Sequence, residues 1–253
     1  KDGAYINNSE DALTGLPIIS LYGEKFMPSE DDLTDVDIML FDIPDAGTRF
    51  YTYLWSMTYW IEAAAKYNKP IIILDRPNPL GGNMTMCAGP MLDAQLSSFI
   101  GRFDIPVKHQ CTLGELALYF NRTKNWNAAL EVIACDGLKR DDLFTKWNQQ
   151  WIPTSPAIQN FNACLLYPGF CFFEATNISI GRGTSYSFEW FGGKVDAKYL
   201  IASNSSFSIF PSLTSDTLKY IIAPKYMLRY NISDGYWSLG YNIYPTYTYM
   251  DRE

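Results

Sequence analysis

Three short stretches gather most of the side chains able to do ionic or acid–base chemistry. The first, Phe41 to Tyr51, carries Asp42, Asp45, Arg49 and Tyr51 directly after an apolar run. Paired carboxylates can donate or accept protons or face a developing cation, and an arginine fork can hold an anion. The bland reading of the same residues is an Asp cap with an Asp–Arg pair bracing a turn. Asp42, at the expected strand end, is the stronger functional carboxylate. The second stretch is Leu74 to Gly82, where Pro77 and Pro79 stiffen a loop that projects Asp75, Arg76 and Asn78; a braced turn is its alternative.

The third stretch runs from Glu174 through Asn177 and the Gly181-Arg182-Gly183-Thr184 turn to Glu189. Glycines flanking one guanidinium let the backbone approach a ligand while presenting a cation. Neither phosphate-loop spacing is met. His109 is the single histidine, set between Val107 and Thr112, and reads more readily as a buried structural residue than as a general base. No Gly-x-Ser-x-Gly elbow accompanies it, so a serine or cysteine hydrolase is not expected. Five cysteines without a Cys-x-x-Cys pair, beside one histidine, predict no structural zinc and read as small buried apolar residues.

These loops need elements to hold them. Apolar runs at Leu16–Leu21, Asp37–Phe41, Ile71–Leu74 and Ala129–Ala134 predict strands, and the all-apolar Ile71–Leu74 predicts one buried on both faces. Between them, Leu54, Met57, Ile61, Ala64 and Ala65 share a helical face after Thr52. Leu113, Leu116, Ala117 and Phe120 share another, opened by a Thr112/Glu115 capping box. Strand–helix alternation predicts an α/β fold with a parallel sheet, whose ligands sit beyond the carboxyl ends of the strands. Residues 1–150 are expected to form that domain. Residues 151–253, with strand-like runs at Cys164–Tyr167 and Phe207–Phe210, are expected to form a smaller mixed α/β domain.

At 253 residues and 47% apolar content the chain can bury its own core, and no apolar run is long enough to span a bilayer. A net charge of −7 without Lys/Arg clusters argues against nucleic acid, so an anionic ligand requires a local cation. Aromatic residues reach 16%, a content that suits sugar stacking but equally fills cores. Asn-x-Ser/Thr sequons begin at Asn7, Asn83, Asn121, Asn177, Asn204 and Asn231 and point weakly to a secretory route.

Read in order, "TGLPIISLYG", "FDIPDAGTRFYTY", "LDRPNPLGG", "PVKHQCTLGELA", "YPGFCFFEATNISIGRGT" and "FPSLTSDTLKY" resemble the bacterial exo-β-N-acetylmuramidases, over about Leu13 to Tyr220. The resemblance implies a Rossmann-like domain with a smaller α/β domain and a cleft for the non-reducing terminal N-acetylmuramic acid of a peptidoglycan fragment. It implies no metal or organic cofactor, and a parent protein that is secreted or periplasmic. As candidate catalytic carboxylates it implies Glu174 and Asp42. As candidate substrate contacts it implies Asp45, Arg49, Tyr51, Asp75, Arg76, Asn78, His109, Asn177, Arg182, Thr184 and Glu189. The family's Gly-Pro-Glu-His-Gly segment has no counterpart between Lys1 and Leu13, so its proton donor is expected to be missing from this stretch. Its His-Gly-Met-Thr reads His109-Gln110-Cys111-Thr112, and its Val-Glu-Gly-Pro reads Cys87-Ala88-Gly89-Pro90. The alternatives kept open are a catalytically silent muramic acid-binding paralogue and a nucleotide-binding α/β protein.

Overall fold

The computed structural model describes residues 7–192 and, beyond them, five short strands between residues 199 and 250. Contacts divide the chain into two units. The first comprises Lys1–Cys171 with Arg182–Glu189, and the second Phe172–Gly181 with Trp190–Glu253.

A three-stranded parallel sheet lies at the centre of the first unit. Its strands are β3 (Met39–Phe41), β4 (Ile71–Leu74) and β5 (Leu130–Ile133), in the order β3-β4-β5. Each joins the next through a right-sized crossover: α1 (Tyr53–Lys66) between β3 and β4, and α2 (Leu113–Thr123) between β4 and β5. The α1 stripe is buried as its spacing predicts, with Leu54, Met57 and Ile61 fully enclosed. Helix α2 opens on the expected capping box, Thr112 accepting from the Glu115 amide and Glu115 accepting from the Thr112 amide at 2.9 Å. Leu113, Leu116, Ala117 and Phe120 enter the core.

Register places Met39, Ile71 and Leu130 side by side, and likewise Phe41, Ile73 and Val132. These six form the face that meets α1 and α2 in the single core cluster. The intervening residues Leu40, Ile72, Leu74 and Ile133 lie on the opposite face, where Leu40 is 52% and Ile133 46% exposed and Ile72 and Leu74 are half-buried. Only one face of β4 is therefore fully buried, where its composition predicts two.

Two other expectations are corrected. In place of a strand over Leu16–Leu21 there is a two-residue strand β2 (Pro17–Ile18), antiparallel to β1 (Ser9–Glu10) and apart from the main sheet; Leu16 is 63% exposed, so no core holds the run extended. The Cys164–Tyr167 run lies inside helix α3 (Phe161–Phe170), capped by Asn160, whose Oδ1 accepts from the Ala163 amide at 2.9 Å. A four-residue apolar run has no readable period, and the cap upstream decides for helix.

Within the second unit, Ser179 and Gly192 form a two-way backbone bridge and the rings of Phe173 and Phe191 stack. Strands β6 (Tyr199–Ile201), β7 (Tyr220–Pro224) and β10 (Tyr247–Met250) form a parallel sheet in the order β10-β7-β6, and β8 (Tyr230–Asn231) pairs with β9 (Tyr236–Trp237). The Phe207–Phe210 run lies outside the described residues. No helix of the described residues is long and apolar enough to cross a membrane.

Candidate active site

The carboxyl ends of β3, β4 and β5 open onto a cleft of about 600 Å³ within the first unit. Pro44 and Asp45 follow β3 at its rim, Asp75, Arg76 and Pro77 follow β4, and Cys135, Asp136 and Gly137 follow β5. This is the edge where open parallel sheets bind ligands. The opposite wall comes from Phe144, Lys146, Trp147, Trp151 and Thr154. Edge-on ring contacts fix that wall: Phe144 lies 5.2 Å from Trp147 and 4.9 Å from Trp151, centroid to centroid. The Trp151 indole donates to the Ile158 carbonyl at 3.3 Å. Sequence reasoning missed this wall, whose only signal was the density of aromatics between Phe144 and Trp151.

The two aspartates that follow β3 differ in what surrounds them, and of the two only Asp45 lines the cleft. Asp42 is half-exposed and accepts from Arg76 Nε at 2.8 Å, so the ends of β3 and β4 are tied by an ion pair. Asp45, three residues on, is buried; its Oδ2 accepts from the Gly47 amide at 3.0 Å and lies 3.2 Å from His109 Nε2. That pair is in van der Waals and electrostatic contact without the alignment of a hydrogen bond, and Asp45 Oδ1 has no hydrogen-bond partner. His109 Nδ1 accepts from the Cys111 amide at 3.3 Å, which assigns the ring proton of the neutral tautomer to Nε2, facing Asp45. His109 is 2% exposed, matching the buried structural histidine of its sequence context.

Asp75 is committed to helix α2. Its Oδ1 accepts from the Gly114 amide at 2.8 Å and the Arg76 amide at 2.9 Å, and its Oδ2 from the Thr112 hydroxyl at 2.7 Å. Asn78 is buried and bridges two segments, donating to the Cys111 carbonyl and accepting from the Leu80 amide. Arg49 faces inward: Nη1 donates to the carbonyls of Pro90 at 2.7 Å and Ile105 at 2.6 Å, and burial lowers its pKa. Tyr51 donates to the Thr154 carbonyl at 2.7 Å, and burial pushes its phenol well above the usual range. The motif stretches of the first unit thus contain both cleft-lining groups (Asp45, Asp75, Arg76) and residues that brace the loops (Arg49, Tyr51, Asn78, His109).

The remaining candidates lie on the later loop. Arg182 sits over the Phe188 ring at 4.9 Å, Thr184 accepts from the Tyr186 amide, and Glu189 accepts from Asn160 Nδ2 at 2.6 Å. Glu174 belongs to a 3-10 turn, Cys171–Ala175, and Asn177 follows it; both are exposed. Asn160, the α3 cap that Glu189 orients, is a second residue the sequence reading passed over.

A parallel α/β unit with an aromatic-walled cleft at its strand ends belongs to the open-sheet α/β class, in which this edge is where ligands are held. The family models for the N-terminal and C-terminal regions of the exo-beta-N-acetylmuramidase NamZ match residues 1–162 and 165–224, so the chain belongs to this family. It is 43% identical over 190 residues to the peptidoglycan beta-N-acetylmuramidase NamZ of Bacillus subtilis (strain 168), covering 75% of this chain and 44% of that protein. Crystal structures of two DUF1343 family proteins from Bacteroides fragilis are similar to it. One has a TM-score of 0.70 at 36% identity, covering 75% of this chain and 50% of its own; the other has 0.64 at 39%, covering 76% and 52%. The chain thus spans about half the length of the relatives it matches.

Proposed function

We propose that the protein binds the terminal N-acetylmuramic acid of peptidoglycan fragments and serves its release as an exo-β-N-acetylmuramidase. The observation that carries this reading is the cleft at the β3, β4 and β5 ends, in a chain of this family: one wall aromatic, the floor carboxylate-lined, cations at the rim. Indole and phenyl faces suit the C–H faces of a pyranose, and buried carboxylates suit its hydroxyls. The lactyl carboxylate needs a cation. Arg182 is the proposed partner, with Arg76 and Lys146 at the cleft as the other donors.

Hydrolysis of the glycosidic bond requires a carboxylic acid to protonate the leaving oxygen and a group to meet positive charge at the anomeric carbon. The family's Glu-His segment has no counterpart between Lys1 and Leu13, so residues 1–253 alone are expected to release no sugar. Should they do so, Glu174 is the carboxylate proposed as donor, and Asp42, which pairs with Arg76, is the other carboxylate proposed from the family motifs. The substrate's acetamide can share the second role. The proposal includes a Rossmann-like first domain, a smaller α/β domain after it, and action outside the cytoplasm, where peptidoglycan lies.

Titration calorimetry with N-acetylmuramic acid, N-acetylglucosamine and a nucleotide tests the reading. Binding of muramic acid ahead of N-acetylglucosamine is expected. Nucleotide binding without sugar binding overturns it in favour of a nucleotide-binding α/β protein. Turnover of a chromogenic muramic acid glycoside then separates an enzyme from a silent binding paralogue.

A further inference from the structure

Two half-buried cysteines, Cys87 and Cys111, meet around His109. Ala88 and Lys108 exchange both backbone hydrogen bonds, at 3.2 and 2.9 Å, as an antiparallel pair. Counting along that pair sets Cys87 opposite His109, with Cys111 two residues beyond, past the left-handed Gln110. The contacts agree: the Cys87 thiol donates to the His109 carbonyl at 3.5 Å, and the Cys111 amide to His109 Nδ1 at 3.3 Å. The two thiols also act on each other. Burial pushes the Cys111 thiol up to about 11, with Glu115 and Cys87 adding to the rise and the Arg140 guanidinium opposing it. Arg140 shares a side-chain hydrogen bond with Cys111 and donates to Met84 Sδ at 3.6 Å, three residues before Cys87. By contrast, Cys164 is fully buried with its thiol on the Ala46 carbonyl, and Cys135 lines the cleft. The resembling family motifs carry Val and Met where this chain has Cys87 and Cys111, so both thiols are features of this chain.

We propose that Cys87 and Cys111 form a modification site, which a small-molecule disulfide such as oxidised glutathione closes into an intrachain disulfide. Cys87 lies on a segment whose residues 84–86 and 88–90 are all exposed, and its thiolate attacks one sulfur of the oxidant, expelling one thiolate. Cys111 then releases its proton beside Arg140, and its thiolate attacks the Cys87 sulfur of the mixed disulfide, expelling the second thiolate. Two protein thiols lose two electrons, one disulfide is reduced to two thiols, and the expelled thiolates take up the two protons. Diagonal neighbours across an antiparallel pair have Cβ atoms roughly 7 Å apart, and a disulfide needs about 3.8 Å. The exposed 84–90 segment is the part free to close that difference. The new bond joins the segment whose Pro90 carbonyl holds Arg49 to the one whose Cys111 carbonyl holds Asn78, and so braces both contacts.

The test treats the 253-residue chain with oxidised glutathione at mildly alkaline pH without denaturant, alkylates it and maps its peptides by mass spectrometry. The expected result is the Cys87 peptide linked to the Cys111 peptide, with the other three of the five cysteines alkylated. The linked chain should melt roughly 5 °C or more above the reduced chain, in keeping with closure of a loop of this length. Cys87→Ser and Cys111→Ala should each abolish both the link and the rise. The link is read in the parent chain, so a variant that fails to fold leaves the inference still decided. Glutathione adducts without a link, a link through Cys135 or Cys171, or five alkylated cysteines overturn it. A linked chain that melts no higher than the reduced one does the same.

Discussion

The Asp75 carboxylate receives the Gly114 amide at 2.8 Å, joining the carboxyl end of β4 to the first turn of α2. It satisfies amide groups that a helix start leaves open and adds negative charge where the helix dipole favours it. A residue that looks like a binding carboxylate in the sequence is thus also the clamp between strand and helix. Asp75→Ala is expected to cost about 1–3 kcal/mol in urea unfolding, the range for losing charge-assisted hydrogen bonds and leaving buried donors bare. A midpoint unchanged from the parent would remove the clamp.

Gly47 adopts φ +70°, and a Cβ there would meet Asn78 Oδ1 at 2.3 Å. Asn78 is itself held between Cys111 and Leu80, so it has little room to yield. Gly47→Ala should therefore destabilise by about 2 kcal/mol or more, combining backbone strain with overpacking. Differential scanning calorimetry decides; a loss no larger than that of an ordinary surface substitution contradicts the packing described.

Gln110 has φ 57° and is buried, and its side chain donates to the Leu80 carbonyl at 3.1 Å. The resemblance to the family places a glycine here, the residue that takes this conformation without cost. Gln110→Gly should then be close to neutral, relief of strain offsetting the lost bond. Gln110→Ala keeps the strain and loses the bond, and should cost about 1–2 kcal/mol. Equal Tm losses in the two variants would refute this balance.

Burial pushes the Cys111 thiol up to about 11, and burial raises Cys164 and Tyr51 further. For such groups the unfolded chain loses its proton at lower pH than the folded one. The contribution of Cys111 is therefore complete below the ordinary thiol value and fades as pH rises from about 9 through 11, while those of Cys164 and Tyr51 go on fading at higher pH. Urea midpoints should fall between pH 8.5 and about 10.5, and the fall should be shallower in Cys111→Ala. An equally steep fall in the variant would remove Cys111 from the effect.

If Arg182 reads the lactyl carboxylate, Arg182→Lys should weaken muramic acid binding about tenfold, in keeping with a charge-assisted bidentate contact of about 1.5–3 kcal/mol, and leave N-acetylglucosamine unaffected. Equal losses for both sugars would assign Arg182 to holding its loop, where it already covers Phe188. No loss for either would move the contact to Arg76 or Lys146. Arg49 is a poor substitute, because Pro90 and Ile105 already occupy its Nη1.

Periodicity and capping, which act over three or four residues, placed α1, α2 and strands β3 to β5 and pointed to the strand ends as the ligand edge. Thr112 and Glu115 form their capping box because its atoms are neighbours along the chain. Tertiary structure alone decided what each polar residue does. Asp42 and Asp45 stand three positions apart, yet one is half-exposed beside Arg76 and the other buried beside His109, 64 positions away in sequence. Likewise the long-range contacts of Arg49 with Pro90 and Ile105, and the ring contacts that turn Phe144, Trp147 and Trp151 into a wall, depend on loop closure that no local pattern encodes. Local order follows from short-range sterics and hydrogen bonding, whereas the site is set by which distant segments the core brings to the same strand ends.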